Sequence, residues 1–265
     1  GGPVGRTARR EWDAETYHQV SDPQVEWARD VLARAELRGD ERVLDAGCGA
    51  GRVTRLVLDA VPDGHVLAVD ASEQMLESAT EYLDDLSDRV SFHRSDLTEL
   101  AIADPVDVIF SNAVFHWILD HDLLFSRLAG TLVPGGRLVA QCGGAGNIAG
   151  VIDVTERAAR RAPFDRHLAD FEREWHFADP AATRIGLERA GFVDIETNLE
   201  RRDAVLPIGG HAERYLATIV LRLHMELLPQ EHRYPFAEAV ANELADGDGF
   251  ATLDYVRLNM RARRK

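Results

Sequence analysis

Lysine is almost missing from this chain: among 265 residues the one lysine is Lys265, the last. Schiff-base enzymes, pyridoxal-phosphate enzymes and P-loop nucleotidases each hold a lysine inside the site, so all three are excluded. Cysteine is also scarce. Cys48 and Cys142 are the two present; they form no CxxC or other metal-ligand spacing, and a reducing, cytoplasmic compartment is the default, although one disulfide stays open. No apolar run approaches the roughly 18 residues of a membrane span, and no stretch reads as a signal peptide. Basic charge is outweighed: 45 Asp and Glu against 30 Lys and Arg give a net charge of −15. Such a surface repels phosphate backbones, so neither nucleic acid nor a membrane is expected as a partner. The one basic cluster, Arg261-Ala262-Arg263-Arg264-Lys265, reads as a solvated C-terminal tail. His167, His176, His211, His224 and His232 have no zinc spacing such as HExxH, and no metal is expected.

What is present alternates. The length fits one large α/β domain, or a core with a modest cap, able to bury a core without disulfides. Apolar runs at Arg42–Ala46, His65–Val69, Val90–His93, Val106–Phe110 and Arg137–Gln141 read as five strands. Helical spacing separates them at Arg52–Ala60, at Glu73–Leu83 behind the N-cap Ser72, and at Leu123–Ala129 behind Asp120. Pro134-Gly135-Gly136 marks the turn before the fifth strand. Ahead of them a helix is expected at Gln24–Ala35. After Gly143-Gly144-Ala145-Gly146 the rhythm changes. Helices are expected at 148–162, 165–173 and Ala181–Ala190, a strand near Phe192–Glu200, amphipathic helices at His211–Leu228 and Phe236–Ala245, and a last alternating strand at Leu253–Met260. The Leu221–Leu228 stripe with Met225 reads as core, with an apolar pocket wall as the alternative.

The decisive segment is Val43-Leu44-Asp45-Ala46-Gly47-Cys48-Gly49-Ala50-Gly51, where the first strand turns into the first crossover helix. A ligand can approach bare backbone there, beside a helix N-terminus that favours anionic groups. The dinucleotide fingerprint GxGxxG would need glycine at position 52, which is Arg52. Asp45 would be idle behind a pyrophosphate, but it suits a ligand with an ammonium group. The second strand ends in Asp70, placed to accept ribose hydroxyls, and the third leads to Ser95-Asp96-Leu97, where Asp96 can accept from an adenine amino group. Acids at three successive strand ends point to S-adenosylmethionine.

Four segments carry a family resemblance: Asp45 to Gly51, Asp70-Ala71-Ser72-Glu73-Gln74-Met75-Leu76, Ser111-Asn112-Ala113-Val114-Phe115-His116-Trp117, and Leu132-Val133-Pro134-Gly135-Gly136. Residues 40–143 resemble a class I S-adenosylmethionine-dependent methyltransferase. From Trp12 to Gly150 the chain resembles the trans-aconitate methyltransferase group, with the insect juvenile-hormone-acid methyltransferases a more distant likeness. The resemblance implies an α/β fold: a Rossmann-like, doubly wound, mostly parallel seven-stranded sheet. It also implies a cofactor site of Asp45, Gly47, Cys48, Gly49, Gly51, Asp70, Ala71, Met75, Ser95, Asp96, Leu97 and Asn112, with S-adenosylhomocysteine as product. Four stretches are expected: an N-terminal helical segment at 1–39 closing the site, the cofactor core at 40–143, an inserted helical cover at 144–180, and at 181–265 strands six and seven with further helical cover at about 209–245.

On the acceptor side, Tyr17, Gln19, His116 and Trp117 are the candidates, with His116 a base or hydrogen-bond donor. Methyl transfer leaves the protein to align the reactants and exclude water. The fourth strand ends without the Asn/Asp-Pro-Pro-Tyr/Phe sequence associated with amide or base nitrogens, and no acidic cluster follows it as in magnesium-dependent catechol methyltransferases. The expected partner is therefore a small-molecule acceptor taking the methyl group on oxygen, a carboxylate or a hydroxyl. Carbon or nitrogen methylation of a natural-product precursor, a non-catalytic S-adenosylmethionine-binding module and the oligomeric state stay open. A nicotinamide oxidoreductase is opposed by Arg52 and Asp45.

Overall fold

The protein is described by a computed structural model over residues 22–265; Tyr17 and Gln19 lie outside the described residues. The chain divides into two compact units. The larger comprises residues 24–145, 174–200 and 257–265, and the smaller, among the described residues, is built mainly from 146–173 and 201–256.

The larger unit is a seven-stranded sheet. Its elements in chain order are α1 (Asp22–Ala35), β1 (Arg42–Ala46), α2 (Arg52–Ala60), β2 (His65–Asp70), α3 (Glu73–Tyr82), β3 (Val90–Arg94), β4 (Val106–Asn112), α4 (His121–Thr131) and β5 (Leu132–Gly143). After the smaller unit's α5 (Ala149–Ala159) and α6 (Asp165–Leu168) come α7 (Pro180–Arg189) and β6 (Phe192–Arg201). The smaller unit then supplies β7 (Ala204–Pro207), α8 (His211–Tyr215), α9 (Arg222–Leu227), α10 (Gln230–Leu244) and β8 (Phe250–Leu253), and β9 (Val256–Arg264) closes the chain. The sheet order is β3-β2-β1-β4-β5-β9-β6. β1 lies between β2 and β4, with Val43 opposite both Val66 and Val108. A strand covered on both faces needs an apolar run, and β1 has one at Val43, Leu44 and Ala46, interrupted by Asp45.

Two apolar layers sandwich the sheet. On one face Ala28, Val31 and Ala35 of α1, at helical spacing, pack with Val57 and Leu58 of α2 on Val43, Val108 and Val139. On the other, Leu124, Phe125 and Leu128 of α4 and Leu187 of α7 pack on Leu44, Ile109 and Leu138. The chain winds outward from β1 to β3 and returns at β4 on the other side of β1, so the strand ends diverge between β1 and β4. Ligands of open α/β sheets bind at such a switch point.

Ser72 and Asp120 cap α3 and α4, accepting from the Met75 and Leu123 N–H groups at 3.3 and 3.0 Å. The expected turn at Pro134-Gly135-Gly136 is absorbed into β5: pairing jumps from Val106↔Leu132 to Val108↔Arg137, a bulge with Gly135 at φ 80°. The basic tail is corrected. Arg261 to Arg264 belong to β9, antiparallel to β5, with Ala262 buried and Arg263 bonded to Asp194 at 2.8 Å. The alternating run Leu253–Met260 is two strands, because Asp254 leaves the ladder to accept from the Gly150 and Val151 N–H groups of α5 at 2.8 and 3.3 Å.

In the smaller unit β7 and β8 form a separate antiparallel ribbon. The expected helix over 211–228 is interrupted by a π turn, Leu216–Val220, closed by the Leu221 N–H on the Leu216 carbonyl at 2.7 Å. Of 165–173 only Asp165–Leu168 is helical. α10 begins six residues earlier than expected, because it tolerates Pro235, a residue that normally stops a helix. Leu221, Met225 and Leu228 are buried core. His224, its ring centroid 3.9 Å from that of Phe171, has its pKa lowered to about 4 by burial and by the Arg173 charge. Among the described residues no helix is long and apolar enough to cross a membrane.

Candidate active site

Asp45, one residue before the end of β1, is 2% exposed, and the Thr54 hydroxyl of α2 donates to its Oδ2 at 2.7 Å. Burial pushes its pKa up to about 7; the Thr54 bond opposes this and the Asp70 charge adds to it. From its ordinary 3.8 to about 7 the folded protein holds a proton the unfolded chain has released, so this group lowers stability as pH rises through that window. Binding of an ammonium beside Asp45 has the opposite slope, because it needs the carboxylate ionised. Affinity for S-adenosylmethionine is expected to rise by up to about tenfold per unit toward pH 7, one proton being displaced. Methylthioadenosine, which lacks the amino-acid moiety, should bind with a flat profile. Calorimetry reads both, and a flat S-adenosylmethionine profile would remove Asp45 from the ammonium.

The glycines that follow divide by task. Gly47 sits at φ 86°, and its N–H donates to the Val69 carbonyl at 2.8 Å. A Cβ there would lie 2.3 Å from Val114 Cγ2, so the loop passes directly against the end of β4. Gly51 caps α2 at φ 91°, and its Cβ would meet Leu83 and Ala79 at 3.1 and 3.2 Å. It has a packing role between α2 and α3, which a Cβ would disturb. Cys48 is a free, buried thiol held neutral by burial and by the charges of Asp45 and Asp70.

Asp70 is held by two backbone donors, Gly49 N–H on Oδ2 at 3.0 Å and Ser72 N–H on Oδ1 at 2.9 Å. Each oxygen keeps a lone pair for a further donor. Ala71 is exposed and Met75 half-buried just beyond it. Asp96 is exposed, but its Oδ1 already accepts from the Thr98 N–H and hydroxyl at 3.0 and 2.9 Å. Ser95 spends its N–H on the Asp70 carbonyl and its hydroxyl on the Asp96 carbonyl. Leu97 is buried in the core, which leaves only its backbone to a ligand. Asn112 ends β4 with its Nδ2 on the Gln24 carbonyl at 3.4 Å, while Asn112 Oδ1 and Gln24 Oε1 are buried acceptors without a donor. Sequence reasoning missed Gln24, a polar residue on a helix with no motif around it.

His116 and Trp117 follow β4 in a short 3-10 turn. The Gly143 N–H donates to His116 Nδ1 at 2.9 Å, and burial, the Arg257 charge and His121 pull the ring down to about 3. The ring is therefore neutral, with its proton on Nε2, and presents a donor. A base role is not supported. His121 lies in the first turn of α4, its Nε2 on the Phe115 carbonyl at 2.8 Å and its ring 4.2 Å from His176. Trp117 stands 5.7 Å edge-on to Trp175, and Phe177 lies 5.9 Å from His116. Trp175, Phe177 and Arg257 were not singled out in the sequence, since no motif surrounds them. Among the described residues no three His, Cys, Asp or Glu side chains converge as metal ligands.

A methyltransferase-domain family model matches residues 43–136. The chain is 41% identical over 130 residues to a trans-aconitate 2-methyltransferase of Azoarcus sp. (strain BH72), covering 49% of this chain and 50% of that one. A trans-aconitate 2-methyltransferase of Methylobacterium nodulans is 38% identical over 131 residues, 49% of each chain. The chain thus spans about half the length of the curated relatives it matches. Among solved structures, the Haemonchus contortus phosphoethanolamine N-methyltransferase 2 complex with S-adenosyl-L-methionine superposes with a TM-score of 0.63 at 19% identity, over 95% of this chain and 57% of that one. A Streptomyces coelicolor geranyl diphosphate C-methyltransferase does so at 0.54 and 17%, over 91% and 76%. The fold is that of class I methyltransferases, and it hosts nitrogen and carbon acceptors alike.

Proposed function

We propose, from a chain that carries a methyltransferase domain on the class I fold, that this protein is an S-adenosylmethionine-dependent methyltransferase acting on an oxygen of a small molecule, a carboxylate or a hydroxyl. The observation that carries the reading is the placement of Asp45 and Asp70 on either side of the glycine loop, one buried at the switch point and one aimed by two N–H groups. These residues fit the cofactor. Asp45 and the donorless acceptors Asn112 Oδ1 and Gln24 Oε1 suit an ammonium group, and Asp70 suits a ribose diol. Gly47 and Gly49 offer backbone without Cβ, and Asp96, Met75 and the Leu97 backbone are assigned to the adenine. When bound, S-adenosylmethionine supplies a methyl group on positively charged sulfur and leaves as S-adenosylhomocysteine. The chain itself aligns the acceptor and excludes water. His116 Nε2–H and Trp117 are assigned to the acceptor oxygen. The relatives named for trans-aconitate support an oxygen acceptor, and a carboxylate needs no base, in keeping with a histidine that only donates. We place the protein in a reducing, cytoplasmic setting on its two free, buried thiols.

Calorimetric titration with S-adenosylmethionine, and with NAD as the comparison, tests the cofactor. Micromolar binding of the first alone is expected, and binding of NAD instead would overturn the reading. Trp117→Ala is expected to lower acceptor kcat/KM by about 10–100-fold, the loss of one well-packed indole contact. Cofactor affinity should stay within about twofold; loss of cofactor binding alone would place Trp117 elsewhere.

A further inference from the structure

A second concavity lies away from the glycine loop. An open cleft of about 650 Å³ runs between the first turn of α4 and α7, and every residue lining it belongs to the larger unit. The two helices touch at Gly186, where a Cβ would lie 3.2 Å from two carbons of the Phe125 ring. Leu119 and Ile185, 61% and 48% exposed, form its rim, and Phe125 is buried at its base.

The segment from Trp175 to Ala178 divides its side chains between two places. Trp175 and Phe177 stand against Trp117 and His116, with ring centroids 5.7 and 5.9 Å apart. His176 and Ala178 line the cleft instead. The His176 ring is held 4.2 Å from that of His121, and its backbone N–H ties the segment to the His116 carbonyl at 2.8 Å. This segment therefore separates the cleft from the acceptor candidates.

Two polar side chains lining the cleft carry atoms that nothing answers. Thr183 is 2% exposed, and its hydroxyl oxygen, like His176 Nδ1, is buried without a hydrogen bond. Native proteins pair the great majority of such atoms, so two beside one cleft mark a place where a ligand supplies the partner. The surrounding charge selects the sign of that ligand. Asp120 and Asp122, at the start of α4, are exposed lining residues. Arg189 is the one arginine or lysine lining the cleft, and it faces Asp122 at 3.8 Å. An anion would meet two carboxylates on a chain of net charge −15. A purely apolar ligand would leave the Thr183 hydroxyl and His176 Nδ1 unanswered. An ammonium answers both, since each can accept from an N–H.

We propose that this cleft is a second ligand site, for a small primary amine bound as its ammonium and carrying an aryl or similarly compact apolar body. The ammonium is assigned to Thr183 Oγ1 and His176 Nδ1, with Asp122 supplying the opposite charge, and the body to Phe125, Leu119 and Ile185. The site is separate from the methyl-transfer reading and does not rest on it.

Calorimetry on the full chain, titrated with benzylamine, benzyl alcohol and benzoate, tests the site. Benzylamine is expected to bind with a Kd below about 1 mM, at least about tenfold more tightly than the other two. Thr183→Val removes the hydroxyl at nearly constant shape and should weaken benzylamine about tenfold. Because that hydroxyl has no partner in the free chain, the melting temperature should hold or rise, whereas a merely structural threonine would lower it. Ile185→Lys, at an exposed position, puts a like charge at the rim and should weaken benzylamine at least about fivefold, a test that stands even if Thr183→Val fails to fold. Trp117→Ala should leave the affinity unchanged. Benzoate or benzyl alcohol binding as tightly as benzylamine, or no benzylamine binding below about 10 mM, overturns the proposal. So does an affinity that Trp117→Ala removes and both cleft variants retain, which would put the amine beside the acceptor candidates.

Discussion

Gly47→Ala is expected to lower the melting temperature by about 5–15 °C and to weaken S-adenosylmethionine at least about tenfold, through two separable costs. The first is conformational: φ 86° is left-handed backbone, which costs a residue bearing a Cβ about 1–2 kcal/mol. The second is steric, since the new methyl would lie 2.3 and 2.7 Å from the two Cγ atoms of Val114. Overpacking of that kind costs about 1–3 kcal/mol. The loop cannot relax freely, because the Gly47 and Cys48 N–H groups both bond the Val69 carbonyl, at 2.8 and 2.9 Å. Adding Val114→Ala should restore the steric share and leave the conformational share. A double variant no more stable than Gly47→Ala would show that Val114 is not what the glycine accommodates.

Asp70→Ala should raise the Kd for S-adenosylmethionine by about 5–150-fold, the 1–3 kcal/mol of hydrogen bonds to a charged acceptor. The same factor is expected for methylthioadenosine, which keeps the ribose; this separates Asp70 from Asp45, whose effect should vanish with that ligand. Asp70→Asn should lose nearly as much. Its one carbonyl oxygen can answer either Gly49 N–H or Ser72 N–H, and its amide NH2 would confront the other. Calorimetry measures all three, and an unchanged Kd in Asp70→Ala would remove this carboxylate from the ribose.

The candidate cofactor residues are legible in the sequence because they are local. Asp45, Gly47 and Gly49 lie within five residues of one another, and Asp70 ends the next strand, so one strand-turn-helix signal places them all. At Gly51 spacing alone cannot separate a ligand approach from a helix packing on Ala79. For His116 the sequence leaves a base and a hydrogen-bond donor both open. Only the fold shows that Nδ1 is already taken by the Gly143 N–H.

By itself, the sequence determined the alternating parallel sheet, its strand ends and the acids upon them, since these follow from hydrophobic period and from turn chemistry within a few residues. The tertiary structure decided what comes from distant segments: that 261–264 is a sheet strand and not a tail, and that Gln24 meets Asn112. It also decided that Trp175, Phe177 and Arg257 gather beside His116. The physical reason is range. Propensity and periodicity act over a turn or a strand, whereas strand pairing joins residues more than a hundred positions apart, and only the packed sheet determines which side chains share one end.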